Sequence, residues 1–288
     1  MNVTFSILFA FGAMLCWGIG DFFIQRSTRK IGDIEALAWI GIIGCLGLLP
    51  FAIHELPLLF YKENILLILL LGVVTFIAAI FNFEALKKGK LSTVDVVLEI
   101  ELPITILLSF MFFHETLTTL QVVIICFIML GIILIATRSF SHWRAKIETG
   151  VWIALVAAVF MGLVNFLTAS SSKNISPIMA VWGAWVVYTI LCLLVIWQRE
   201  GFGNFIAHGR EFKWIILLMG IFDTIAWTFY SFAVFDQEIA ITTAISESYP
   251  AIALFLGLWF NKEVIKKHQY VGAALALLCS FLLALTIK

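Results

Sequence analysis

Apolar runs of about 20 residues, the length of a membrane-spanning helix, alternate along the chain with short polar connections and occupy most of it. Bounded by charged residues or by Gly, Pro and Asn clusters, they fall near residues 3–25, 34–53, 64–86, 92–113, 118–137, 150–171, 177–197, 213–235, 239–260 and 268–287. A barrel strand would need only about 10 residues with strict alternation. These runs are longer and do not alternate, so the pattern predicts ten transmembrane helices. Ser176-Pro177 opens the seventh with an N-cap residue followed by proline at the first helical position. Short connections make sequence neighbours antiparallel neighbours in space. The first run has no basic stretch before it and no small-residue cleavage site after it, so it reads as a retained span rather than a secretory signal.

Composition supports the same class. Hydrophobic residues make up 62% of the 288 and mean hydropathy is +1.08, against about 45–50% apolar residues in a soluble domain. The fold class expected is all-α integral membrane. Cys16, Cys45, Cys126, Cys192 and Cys279 are isolated within apolar runs, which argues against disulfides and against a zinc site.

Two sets of five spans are separated by the longest polar connection, Arg138 to Thr149, giving an expected first repeat over 1–140 and a second over 141–288. Ala13, Gly18, Phe22, Ser27 and Ile31 match Ala157, Gly162, Phe166, Ser171 and Ile175 at one constant shift. Gly72, Ile77, Ala78, Phe81, Ala85 and Gln121 match Gly220, Ile225, Ala226, Phe229, Ala233 and Gln269 at another. An odd number of helices per repeat forces the halves into opposite orientations, and the charges test this independently. The five connections after odd-numbered spans each hold three basic residues, while the even ones hold only Lys62 and Lys173, with Lys288 at the end. Equivalent loops therefore differ in charge, as loops on opposite membrane faces do. The architecture expected is an inverted repeat. By the positive-inside rule the odd connections are cytoplasmic and both termini outside, in a cell (plasma or inner) membrane.

Net charge is zero, yet seven of the 18 acids fall neither in a connection nor at a helix end: Asp21, Glu84, Asp95, Glu99, Glu101, Asp223 and Glu247. A charge at the centre of a span costs roughly 2.5–3.5 kcal/mol on the insertion scale, so such residues face a protein interior or a watery cavity. The densest stretch is Asp95-Val-Val-Leu-Glu99-Ile-Glu101-Leu-Pro103. Pro103 cannot donate to the Glu99 carbonyl, so a helix is kinked or broken there. Thr242-Thr-Ala-Ile-Ser246-Glu247-Ser248-Tyr249-Pro250 repeats the layout in the second half. Broken helices of this kind are where carriers build binding sites. Asp95 and Glu99 share a helical face, whereas Glu99 and Glu101 point about 200° apart.

With these residues in place, the chain resembles the drug/metabolite transporter superfamily, in particular its ten-helix branch built from two EamA-like five-helix repeats. Leu15-Cys-Trp17-Gly18, Pro103, Phe113-His-Glu115-Thr-Leu, Gln121 and Gly131 carry the likeness in the first half, and Pro250, Phe260-Asn-Lys-Glu263, Gln269 and Gly272 in the second. The resemblance implies a secondary transporter with a central cavity between the repeats, alternating access and no enzyme reaction. It also implies cytoplasmic termini, opposite to the charge count. His114 and Asn261-Lys262 stand where the family commonly has glycine before the glutamate. The first-helix glutamate of the small four-helix relatives would fall near Trp17, so their mechanism does not transfer by position.

Candidate substrate- or proton-binding residues are Glu99, Glu101, Asp21, Asp95, Glu247 and Asp223, with the deep aromatics Trp39, Trp182, Trp227 and Tyr249; Trp17 and Trp185 also lie deep. Ring faces beside carboxylates suit an organic cation, although helix packing is the plainer role for any single ring. Trp143, Trp152, Trp197 and Trp214 lie at span ends as interface anchors. No Lys or Arg falls at midplane depth to hold a phosphate or other dianion, so the cargo expected is a small cationic, zwitterionic or neutral metabolite or drug. Acids without basic partners in a low dielectric cannot all stay ionised, and the expected coupling is to protons, carried by Glu99 with Glu101 or Glu247. The expected partners are thus the substrate, the lipid bilayer and protons, with no cofactor and no nucleic acid; the assembly is a monomer or homodimer. Two readings compete. Gly18-Ile-Gly20-Asp21 matches the GxGD pattern of intramembrane aspartyl proteases, but no Tyr-Asp partner motif occurs. A non-transporting scaffold gives no reason for acids inside apolar helices.

Overall fold

The structure is a computed structural model that describes residues 3–88, 97–137, 149–199, 201–260 and 266–287. Every regular element among them is helical. Hydrocarbon offers no water to backbone N–H and C=O groups, so only helices and closed barrels satisfy them there. The first half contains α1 (Val3–Ile31), α2 (Asp33–Ala52), α3 (Lys62–Lys88), α4 (Glu101–Phe113) and α5 (Thr119–Ala136). The second contains α6 (Thr149–Asn174), α7 (Pro177–Arg199), a short α8 (Phe202–Glu211), α9 (Lys213–Asp236), α10 (Ile239–Ser246), α11 (Pro250–Phe260) and α12 (Lys267–Ala284). Among the described residues nine segments are long and apolar enough to cross a membrane, α10 and α11 together forming one of them, and α4 is a shorter apolar helix.

The packing exchanges the halves. Helix α1 lies against α9, and its counterpart α6 against α3; α2 pairs with its own counterpart α7, and α5 with α12. Single residues show the same relation. Gln121 accepts from the Thr118 N–H at 2.8 Å and donates to the Thr286 hydroxyl beyond α12 at 3.3 Å. Its mate Gln269 accepts from the Lys266 N–H at 3.0 Å and donates to the Ile135 carbonyl of α5 at 2.8 Å. Each glutamine thus closes the start of its own helix and ties it to the far end of the other. With five crossings per half, equivalent helices run in opposite directions, and the fold is two inverted five-helix repeats.

Both proline-marked spans are discontinuous. Residues 89–96, which include the sequence candidate Asp95, lie outside the described residues. A turn at Glu99-Ile100 precedes α4, and Pro103 sits in the first turn of that helix, where a missing N–H costs nothing. The fourth span is therefore broken at Glu99-Ile100 rather than kinked at the proline. In the ninth span α10 ends at Ser246, residues Glu247 to Tyr249 form turns, and Pro250 opens α11 at its first position. Each break is braced by a glycine of the other half. A Cβ at Gly18 of α1 would lie 2.5 Å from Cβ of Ile252 and 3.1 Å from the Tyr249 carbonyl oxygen. A Cβ at Gly162 of α6 would lie 2.8 Å from Cβ of Ile104 and 2.9 Å from the Glu101 carbonyl oxygen. Only glycine lets α1 and α6 run this close to the two breaks.

The connection after the seventh span is more structured than its polar sequence predicts. It folds into α8, whose Phe205 is buried and stacks on Trp39 at 4.5 Å. His208 of α8 pairs with Glu35 of α2 at 2.8 Å. Trp152, Trp197 and Trp214 are largely exposed, as interface anchors are, whereas Trp143 lies outside the described residues.

Candidate functional site: an acidic, aromatic cavity between the breaks

A cavity of about 230 Å³ lies between the repeats. Its wall takes in Asp21, Glu101, Asp223 and Glu247, and no Lys or Arg among the described residues lines it. Ile24 of α1 and Leu37 of α2 also line it, so it reaches toward the face that carries the basic, odd-numbered connections. On the other face the spans are tied together. The Glu115 carboxylate accepts the Ile239 and Ala240 N–H groups at 2.6 and 3.0 Å, capping α10, and Lys173 donates to the Gln237 carbonyl at 2.7 Å. Glu55 and Ser176 are hydrogen-bonded across the same face. His114, in a left-handed conformation at φ 52°, ends α4 and turns the chain so that Glu115 reaches α10.

The breaks deliver two of the acids. Glu101, at the start of α4, and Glu247, in the turn after α10, are both buried, at 9% and 4% exposure. Their carboxyls lie within direct interaction reach of each other, and the Asn165 amide donates to Glu247 Oε1 at 2.9 Å. The Tyr230 hydroxyl donates to the Asn165 backbone carbonyl at 3.2 Å and accepts from Thr243 at 2.9 Å, which fixes the donor in turn.

Helices α1 and α9 deliver the other two. Asp21 lies one turn from Trp17 on α1, and Asp223 one turn from Trp227 on α9. Because the helices are antiparallel, both aspartates lie on the same side of the two tryptophans, toward the basic face. The tryptophans meet edge to face at 5.0 Å, and Trp17 is also 6.0 Å from Tyr249. Asp21 is within electrostatic reach of Asp223, Glu101 and Glu247. Asp223 also supplies the facing carboxylate that the GxGD reading asks for, although Phe222 rather than Tyr precedes it.

Of the residues singled out from sequence, the cavity thus gathers Asp21, Glu101, Asp223, Glu247, Trp227 and Tyr249. Glu99 does not line it. Glu99 faces a separate cleft of about 50 Å³ with Pro103 and Met129, still within electrostatic reach of Glu101 and Tyr249. Trp39 lies against α8, and the Trp182 indole donates to the Cys45 carbonyl at 3.1 Å; neither lines the cavity. Several wall residues escaped the sequence reading, Tyr188, Asn165 and Asn82 among them. Tyr188 follows Trp182 and Trp185 at steps of three along α7, a spacing that marks one helix face. Asn165 drew notice only as the mate of Asp21, and Asn82 is a lone amide in an apolar span. The Tyr188 hydroxyl, the Trp185 N–H and Asn82 Oδ1 have no hydrogen-bond partner among the described residues.

An inverted pair of five-helix repeats around a central cavity, with a broken helix from each half contributing to it, defines the carrier class of polytopic membrane proteins. The chain belongs to the EamA-like transporter family, whose model matches residues 4–137 and 148–285, one copy per half. It is a membrane transporter of the drug/metabolite transporter superfamily, as that membership implies. No curated protein matches the chain. Its fold is similar to a solved structure, "Crystal structure of protein", with a TM-score of 0.79 and 16% identity over 98% of this chain and 96% of that one.

Proposed function

We propose that this protein is a secondary carrier that moves a small cationic, zwitterionic or neutral organic molecule by alternating access, in exchange for protons held at Glu101 and Glu247. The observation that carries the reading is the contact between these two carboxyls inside a cavity that no basic side chain among the described residues lines. Two carboxyl groups this close in a low dielectric attract each other only with a proton between them. Ionised together at about 4 Å, they would repel by about 4 kcal/mol at an effective dielectric of about 20. One proton, or one positive group of the cargo, therefore belongs between them, and the two exclude each other. That exclusion is what exchange requires, since loading either species releases the other.

The position of the pair supports the same reading. Each glutamate sits at a helix break, so the backbone around it can rearrange without unwinding a continuous helix. The cavity extends toward the basic face while the opposite face is closed by Glu115, Lys173 and Glu55. With that basic face cytoplasmic, as the Lys and Arg count has it, the conformation is inward-facing and both termini lie outside. Glu99, outside the cavity, tunes the field at Glu101 rather than carrying the proton itself.

The test is uptake into proteoliposomes under an imposed pH gradient, using a panel of amines, neutral amino acids and a sugar phosphate. Gradient-driven accumulation of an amine or amino acid is expected, lost in Glu247→Gln, with the sugar phosphate excluded. Accumulation that ignores the gradient, or preference for the sugar phosphate, would overturn the proposal.

A further inference from the structure

The four acids in the cavity come from two places in the fold, Asp21 and Asp223 on α1 and α9 and Glu101 and Glu247 at the breaks, and these two stations define the cargo more narrowly than its sign does. We infer that the cavity takes an organic dication, two ammonium groups joined by a short alkyl chain, with one group held between Asp21 and Asp223 and the other at Glu101 and Glu247. The inference rests on the carrier reading above and concerns the substrate class of that same site.

Four observations support it. The acids outnumber what one cation can satisfy: the wall carries four carboxyls and no Lys or Arg among the described residues, so a single positive charge at one station leaves the other facing only its own repulsion. The acids are also strung along the cavity, Asp223 within reach of Asp21, and Asp21 in turn within reach of Glu101 and Glu247. Asp21 and Asp223 lie one helical turn, about 5 Å, from Trp17 and Trp227 on the side toward the basic face, and Trp17 then meets Tyr249, two residues from Glu247. No three of His, Cys, Asp and Glu among the described residues converge closely enough to hold a metal ion, so this geometry suits charges spread over a molecule rather than one point charge.

The surface between the stations is aromatic, formed by Trp17, Trp227 and Tyr249, and a ring face favours both the methylene chain of a diamine and the positive ends next to it. Finally, hydrogen-bonding groups wait unpaired at the wall. The Tyr188 hydroxyl, in a side chain only 1% exposed, has no partner among the described residues and lies within electrostatic reach of Asp223. Asn82 Oδ1, an acceptor, is also without one. An ammonium brings three donors and satisfies these groups together with the aspartates.

The experiment compares 1,4-diaminobutane with 1-aminobutane on the full-length protein. Binding is followed by tryptophan fluorescence in detergent and uptake in proteoliposomes, with a neutral amino acid as a third probe. The diamine is expected to bind about tenfold or more tightly than the monoamine, as the second charge pair adds its own coupling. Asp21→Asn and Asp223→Asn, isosteric changes checked for monodispersity and melting temperature, are expected to bring the two amines to similar affinity. Comparison on the unmodified protein decides alone if either variant does not fold. Equal affinity for the two amines overturns the dication class, as does a diamine preference that both variants keep. Uptake of the monoamine or the amino acid in that event leaves the carrier reading standing. Uptake of none of the three probes overturns both.

Discussion

Replacing Gly162 by alanine puts a methyl group where α6 passes the break of the fourth span. The new Cβ would lie 2.7 Å from Cγ2 and 2.8 Å from Cβ of Ile104, and 2.9 Å from the Glu101 carbonyl oxygen, well inside the roughly 3.5–4.0 Å at which carbon atoms pack. Ile104 is β-branched, with little freedom at χ1, and the carbonyl is backbone, so neither yields without moving the break. Alanine favours a helix over glycine by about 1 kcal/mol, whereas overpacking a filled site costs about 1–3 kcal/mol. The net loss of stability is therefore between zero and about 2 kcal/mol, and the larger effect falls on the placement of Glu101. Gly47 of α2 calibrates the first term, because it is exposed and nothing lies within 4 Å of its would-be Cβ. Gly47→Ala collects the helical gain alone. Melting in detergent is expected to rank Gly47→Ala above the unmodified protein, and Gly162→Ala below Gly47→Ala by several degrees, at about 2–4 °C per kcal/mol. Amine binding is expected to fall only in Gly162→Ala. Equal melting temperatures for the two variants, with binding intact in both, would refute the close crossing as the brace of the break.

The mate, Gly18→Ala, is expected to behave like Gly162→Ala, since its Cβ meets Ile252 and the Tyr249 carbonyl in the same way; the same melting and binding measurements check it. Glu115→Ala removes the cap from the first two N–H groups of α10 and is expected to cost about 0.5–2 kcal/mol, read as a lower melting temperature, and to speed thiol labelling of a cysteine placed at the buried Ser172. Asn165→Ala deprives Glu247 of its amide donor and is expected to cost about 1–3 kcal/mol, again read by melting. For orientation, single cysteines at Arg29 and Asn174, both exposed and on opposite faces, are expected to label from the cytosol and from outside respectively; the reverse pattern would place the termini inside.

Much of the fold was legible because the membrane leaves a chain few options. Apolar runs of spanning length, two near-constant shifts and a charge count that alternates with the connections lead to an inverted repeat without any knowledge of packing. The acids were legible for the same reason: a carboxylate in an apolar span is costly, so Asp21, Glu101, Asp223 and Glu247 announce themselves. What sequence did not reveal is direction. Glu99 and Glu101 look alike in the chain, yet the break at Glu99-Ile100 points one into a side cleft and the other into the cavity. Trp39 looks like a wall residue until α8, an amphipathic helix in a connection of polar composition, is seen to cover it. Tyr188 and Asn165 carry no charge and raise no alarm in the sequence. Their place became clear only once α6 and α7 were packed around the cavity.

The central claim is that a proton and the cargo compete for Glu101 and Glu247, and the proton itself can be counted. In a weakly buffered detergent solution, saturating the protein with 1,4-diaminobutane or, should it bind more tightly, 1-aminobutane is predicted to release about one proton per binding event, as a coupled carboxyl pair loses the proton it shares. Glu247→Gln, which still binds but has no proton to exchange, is predicted to release none. Binding of an amine without proton release in the unmodified protein, or release unchanged in Glu247→Gln, would contradict the account.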